Sequence, residues 1–508
     1  MIYICNPFFK ICEEYAIKFD DAYYSTDIKK SEALIKECEE YLKSYDNDYR
    51  IAPLHYHIAT TYSDLHKLDS VYKNETTIEK ALFHYRRAIE LLKSPKLDNA
   101  EYGPYVNGFK LQLYTNYGVA LGKCDRKLAA IECYRDALSI NPQFAMACGN
   151  IGTSLLRYSF LLHDAGHKNY LNHFSYAYLK IAANDKSEYM ETAARNEFQC
   201  IIDGFDKKYV DSFLEKKLKI PDFCLGGRNE QKYRKWCLRN HLFLNPLNDL
   251  PLVHSCFAAD TLQLPPIITS IEENEIPIYF GMFNQIKEEY IYSRYLLYQF
   301  LSQKTVHFAD KDTNLLNLYD YPQYSIRVEN GKTAFKALYS LLDKVSYFAN
   351  IYWKLGIKSR DVSFNSIWLE ESGGKNKYQH KSLSYLDNEA LNSVRWIYKE
   401  FNEKFGDATN PMAKELKTLR HALEHRYVKV HASLFHPENQ EYPYTDNENT
   451  YHISEELLGT YILRLIKIIR ELIIELTMAV HIEENKNRDP SNKIGNMVLF
   501  EYDDEWKI

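Results

Sequence analysis

Glycine and proline are scarce in this chain, 18 and 16 among 508 residues. That excludes collagen-like and low-complexity architectures and suits long helices joined by few tight turns. Paired cysteine is missing as well. Ten cysteines run from Cys5 to Cys256 and none follows; no two form a C-x-x-C pair, and no Cys/His group has zinc-ligand spacing. Neither a disulfide framework nor a bound metal is expected, and scattered thiols predict a reducing, cytoplasmic setting. No apolar run is free of charge. The most apolar stretch, Tyr461 to Val480, contains Arg464, Lys467, Arg470, Glu471 and Glu475, so it predicts a buried helix and no membrane partner. The opening residues, Met1 to Pro7, are too quickly interrupted for a signal peptide. Nor is there a surplus of positive charge. The formal net charge is -6, so any nucleic-acid contact must come from a local patch.

What remains is an ordinary globular composition, 45% apolar and 26% charged, long enough for two to four domains of roughly 100–200 residues each. Over residues 1–200 the pattern is helical and repeats. Tyr114, Tyr117-Gly118, Leu121, Ala130, Tyr134, Ala137 and Pro142 fall on the spacing of a tetratricopeptide repeat. Gly118 and Ala130 are small where two antiparallel helices approach, Tyr134 fills the gap between them, and Pro142 stops the second helix. Ile151-Gly152 and Leu155 follow one period later, and Ala81, Tyr85 and Ala88 repeat the spacing of Ala130, Tyr134 and Ala137. The region therefore resembles the tetratricopeptide superfamily, which implies a surface that docks a protein or peptide partner. Arg86 and Arg135, in equivalent places after the tyrosine, are expected to be surface charges.

Residues 201–330 read as a helical and irregular connecting region. The turn-rich segment Asn245-Pro246-Leu247-Asn248-Asp249-Leu250-Pro251 is expected to wrap the junction between two helical domains. A clear helix returns from Gly281 to Leu301. Lys232, Arg234, Lys235 and Arg239 read as a solvated basic face.

Residues 331–485 carry four long helical patterns: Lys332 to Leu355, Asn388 to Phe405, 411–430 and Glu455 to Glu483. Together they predict a four-helix bundle, followed by a tail over 486–508 in which Met497 to Tyr502 reads as a small strand or docking segment. The loops Ser359–Leu386 and Phe435–Ser454 are long and polar enough to cover a site. The third helix is the informative one. Asn410-Pro411 opens it; Met412, Leu416, Leu419, Leu423, Tyr427 and Val430 form its expected buried stripe. Lys414, Lys417, Arg420, Arg426 and Lys429 stand against Glu415 and Glu424 on the other side, with His421, His425 and His431 in that positive field.

An all-α bundle whose third helix carries Arg420-His421-Ala422-Leu423-Glu424-His425 resembles the HEPN superfamily. The run Leu-Glu-His-Arg-Tyr-Val-Lys-Val, with Phe-Leu-Asn-Pro-Leu-Asn-Asp-Leu upstream, is similar to a bacterial HEPN subgroup found in genome-defence settings. The resemblance implies a metal-independent endoribonuclease that acts as a homodimer on RNA, without a cofactor, in anti-phage or stress defence. It assigns catalysis to Arg420, His425 and His421. The chemistry agrees: imidazole suits proton transfer near neutral pH, and a guanidinium that keeps its proton stabilises charge on a phosphorane. Arg420 and His425 lie about 140° apart around an ideal helix, so a composite groove from two copies is expected. Glu424, one turn from Arg420, can pair with it, and Arg426 and Lys429 are expected to meet nearby phosphates.

Two other readings stand beside this one. His421-Ala422-Leu423-Glu424-His425 also fits the inverted zinc-protease motif H-x-x-E-H, with Glu475, Glu483 or Glu484 as third ligand, although Arg420, Arg426 and Lys429 would repel a divalent cation. A non-catalytic tetratricopeptide adaptor whose bundle binds RNA or nucleotide is the other.

Overall fold

The computed structural model describes residues 10–44, 48–94, 97, 103–185, 190–268, 278–316, 321–371, 378–402, 405, 411–432, 450–488, 499–500 and 502–507. The chain is helical almost throughout. The first part comprises α1 (Lys10–Tyr24), α2 (Ile28–Leu42), α3 (Ala52–Leu68), α4 (Glu75–Leu91), α5 (Gly103–Gly122), α6 (Lys127–Ile140), α7 (Ala145–Leu161), α8 (Ala165–Asn184) and α9 (Thr192–Asp203). Helices α3/α4, α5/α6 and α7/α8 form successive antiparallel pairs, and α4 stacks on α5 and α6 on α7. The repeat spacing explains this packing. Tyr117, Leu121, Ala130, Tyr134 and Ala137 are all buried, as are Ile151 and Leu155 one period on. A Cβ at Gly118 would lie 2.5 Å from the Tyr134 ring. Gly118→Ala is accordingly expected to lower unfolding stability by about 1–3 kcal/mol. A urea midpoint equal to that of the parent would show that Tyr134 has room to retreat.

A middle section holds the short α10 (Lys207–Tyr209) and α11 (Arg228–Arg239). The second part consists of α12 (Ile278–Ser302), α13 (Ile326–Tyr352), α14 (Glu389–Glu400), α15 (Pro411–His425) and α16 (Glu455–Lys486), with strands β1 (Leu369–Glu371), β2 (Tyr378–His380), β3 (Tyr427–His431) and β4 (Thr450–Ser454). Helix α12 packs on α13 and α16, α13 and α14 both pack on α16, and α15 leans on α13. Strands β1 and β2 form an antiparallel hairpin inside the long loop expected over Ser359–Leu386, and Trp368 of that loop is fully buried. Most of the other long loop, and most of the Met497 to Tyr502 segment, lies outside the described residues.

Helix α16 is the shaft of the molecule. From Ile468 to Val480 every side chain is buried, because the bundle covers one side and the repeat region the other. This explains a nearly membrane-like run studded with charges: the charges meet partners on the repeat region. Arg126 donates from Nε and Nη2 to Glu471 Oε1 and Oε2, each at 2.7 Å. Arg126 and Arg86 together grip Glu400 of α14. Lys399 reaches Glu79 at 2.7 Å and also Glu75, which Arg395 shares. Lys467 meets Glu132 at 2.6 Å.

The segment Asn245–Asp249 is buried at this junction. Asp249 accepts from Arg470 Nη1 at 2.7 Å and from the Tyr158 hydroxyl at 3.3 Å, while Arg135 donates to its backbone carbonyl at 2.9 Å. The expectation that Arg86 and Arg135 are surface charges is thus wrong. Arg86 is buried, and both guanidinium groups face carboxylates that come from distant parts of the chain. Among the described residues no helix is long and apolar enough to cross a membrane.

Candidate active site

Helix α15 begins at Pro411 and buries Ala413, Leu416, Leu419 and Ala422, with Met412 and Leu423 half-buried. It is shorter than the 411–430 read from the apolar spacing. The helix closes with Arg426 N–H donating to Ala422 O at 2.8 Å, and the chain then turns into β3. Strand β3 pairs in parallel with β4, Tyr427 opposite Thr450 through His431 opposite Ser454. Val428 and Val430 favour an extended backbone, and the strand that stabilises it arrives only after residue 450, beyond the reach of a local window. Two consequences correct the expected stripe and field. Tyr427 is 78% exposed rather than buried. His431 is fully buried, stacked on His452 with ring centres 5.1 Å apart, and so is not on the basic face. Lys429 sits half-buried on the strand, and Arg426 is exposed at the turn.

The Arg/His hexad itself lies on the last turns of α15. Arg420 is half-buried and held on three sides. Its Nε donates to Glu424 Oε1 at 3.2 Å, its Nη2 lies 3.9 Å from Asp343 Oδ2, and its guanidinium carbon sits 4.7 Å from the centre of the Tyr339 ring. Tyr339 and Asp343 are one turn apart on α13, so the α13–α15 contact aims the guanidinium. Burial raises the Tyr339 phenol above its usual value, and Arg420 offsets part of that rise. His421 and His425 share a face, ring centres 5.1 Å apart. Glu424 links the two halves: its second oxygen lies 3.8 Å from His425 Nε2. The face is open, with His421, Glu424, His425 and Arg426 all exposed. The structure thus brings His421 and His425 together and turns Arg420 toward α13. Tyr339 and Asp343 escaped the sequence reading because they sit inside an apolar helical pattern; their spacing of four was the available signal.

The third ligands considered for a zinc protease are engaged elsewhere. Glu484 accepts from Ile268 N–H and the Tyr352 hydroxyl, and Glu483 from Asn388 and Lys486. Glu475 is fully buried, its carboxyl pushed well above the usual range by that burial. Among the described residues no three His, Cys, Asp or Glu side chains are grouped to hold a metal ion.

A stacked-hairpin array bolted to a bundle of long helices defines the class: a helical-repeat protein with an appended all-α domain. Comparison with known families makes it specific. Residues 270–483 match the family described as LA2681-like HEPN, and residues 111–144 match the tetratricopeptide repeat. The chain therefore carries a HEPN domain joined to an N-terminal tetratricopeptide region. The matched HEPN segment begins ahead of α12 and includes α15 with its Arg/His hexad. No curated protein and no solved structure matches the chain.

Proposed function

We propose that this protein is a metal-independent endoribonuclease whose cleavage groups are Arg420, His421 and His425, working in a groove shared by two copies. The observation that carries the reading is the exposed His421/His425 pair beside a guanidinium already fixed by Glu424, Asp343 and Tyr339, inside a segment matched to HEPN. RNA brings its own nucleophile. His425 takes the 2′-OH proton as the O2′–P bond forms; an imidazole, supplied by the facing copy, donates a proton to the departing 5′-oxygen as the P–O5′ bond breaks. Arg420 bears on the phosphorane, where charge peaks, and charge-assisted donors count most there. The products are a 2′,3′-cyclic phosphate and a 5′-OH. Arg426 and Lys429, just past the helix end, suit neighbouring phosphates, and Glu424 holds Arg420 in line. The repeat region docks a protein partner, and the role that fits is anti-phage or stress defence.

Cleavage of RNA in excess EDTA, yielding 2′,3′-cyclic phosphate ends, is the expected result for the full-length protein. Recovery of 3′-OH ends, or loss of cutting on chelation, contradicts attack by the 2′-OH without metal. A protein that retains a partner through residues 1–200 but never cuts RNA would be an adaptor instead.

A further inference from the structure

Where α16 passes the repeat region, the two do not close completely. An open cleft of about 420 Å³ remains, lined by Glu132 and Arg135 of α6, His241 from the segment after α11, and Arg464, Lys467 and Arg470 of α16. Most of these cations are spoken for. Lys467 is paired with Glu132, Arg470 with Asp249, and Arg135 lies 3.7 Å from the same Asp249 carboxylate. Arg464 is different. It is half-buried at the junction, yet among the described residues no carboxylate or carbonyl lies within hydrogen-bond or ion-pair distance of it; Glu132 and Glu400 act on it only at longer range.

The charge balance points the same way. Arg86, Arg126, Arg135, Arg464, Lys467 and Arg470 face only Glu132, Asp249, Glu400 and Glu471 across this junction, with Lys93 and Asp136 offsetting one another at its rim. Surplus positive charge in a partly dry cleft is costly unless an anion neutralises it. The surrounding groups register that field. Burial, then Arg135, Arg470 and Lys467, hold the His241 imidazole down to about 3 despite its bond to the Asn248 carbonyl. Burial opposes ionisation of Glu132, but Lys467, Arg464 and Arg135 together keep its carboxyl far below the usual range.

We propose that this cleft binds a phosphate-bearing small molecule, whose anionic oxygens are received by Arg464 with Arg135 and Lys467 flanking. A guanidinium fork matches phosphate oxygens in geometry as well as charge. The cleft is walled by a repeat helix on one side and the HEPN shaft on the other, so an occupant would tie the two parts together. The proposal is independent of the nuclease reading, because it uses no residue of α15.

The test is titration calorimetry of the full chain with inorganic pyrophosphate, ionic strength matched with sodium chloride. Saturable binding by the parent protein is expected, weakened roughly tenfold or more in Arg464→Gln and to an intermediate degree in Arg464→Lys, which keeps the charge but loses the fork. Without ligand, Arg464→Gln should unfold no earlier than the parent, since it removes an unpaired charge. Absence of binding by the parent, or equal binding by Arg464→Gln, overturns the proposal. So does a parallel titration in which Arg464→Gln weakens a short RNA but leaves pyrophosphate untouched, which would make the cleft part of an RNA path.

Discussion

His425→Ala is expected to lower RNA cleavage by about 10²–10⁴-fold, the usual worth of a positioned proton-transfer group, while leaving unfolding stability within about 0.5 kcal/mol of the parent. The second half of that expectation follows from the surroundings of the side chain. Its side chain is 64% exposed, its described contacts are the His421 ring and a Glu424 oxygen 3.8 Å away, and alanine favours a helix more than histidine does. A parallel pair of variants tests the clamp. Arg420→Ala removes the positive charge from the reacting phosphorus. Tyr339→Leu keeps that charge and removes the ring beneath it, so it should slow turnover less than Arg420→Ala and leave the pH profile of cleavage unchanged. His425→Ala that cuts RNA at the parental rate would remove α15 from the chemistry, whatever the bundle around it does.

Much of this architecture was legible because it depends on local periodicity. The small–large alternation of Gly118, Ala130 and Tyr134 specifies how closely two helices approach, and the buried stripe of α12 through Ile286, Tyr290, Ser293, Leu297 and Phe300 is as the sequence spacing requires. The Arg/His hexad was visible for the same reason, being six consecutive residues on one helix. What was hidden depends on residues far apart in the chain. Strand β3 reads as more helix until its partner at Thr450–Ser454 is in place. Arg86 looks like any exposed arginine until Glu400, 314 positions later, arrives beside it. The charges of α16 show the same limit. In sequence they only argue against a membrane span; in the fold they are the surface on which the repeat region is seated.

That seating is where a single substitution should do the most damage to stability. In Arg126→Met the bidentate partner of Glu471 is lost, and Glu400 keeps only Arg86. Both carboxylates stay buried. Removing one member of a buried pair leaves the other charged in a poor solvent for ions, and the loss is typically about 3–5 kcal/mol. Arg126→Met is therefore expected to unfold at markedly lower urea than the parent at neutral pH, and a loss below about 1 kcal/mol would mean that water already reaches the junction. The double variant Arg126→Met/Glu471→Leu separates causes. If the stranded carboxylate is the damage, removing it restores much of the stability, and the two changes are strongly non-additive. Acid should act on the same joint. Burial alone would raise the Glu75 carboxyl, but Arg395 and Lys399 outweigh it and bring it from 4.5 down to about 2; Arg126 and Arg86 likewise hold Glu400 below its ordinary value against burial. A carboxyl depressed in the folded state contributes stability that is fully present above its unfolded value and is lost as pH falls through the folded one. Stability of the parent should thus fall steadily below about pH 4.5, and Arg126→Met, which has already surrendered part of that contribution, should show a shallower decline over the same range.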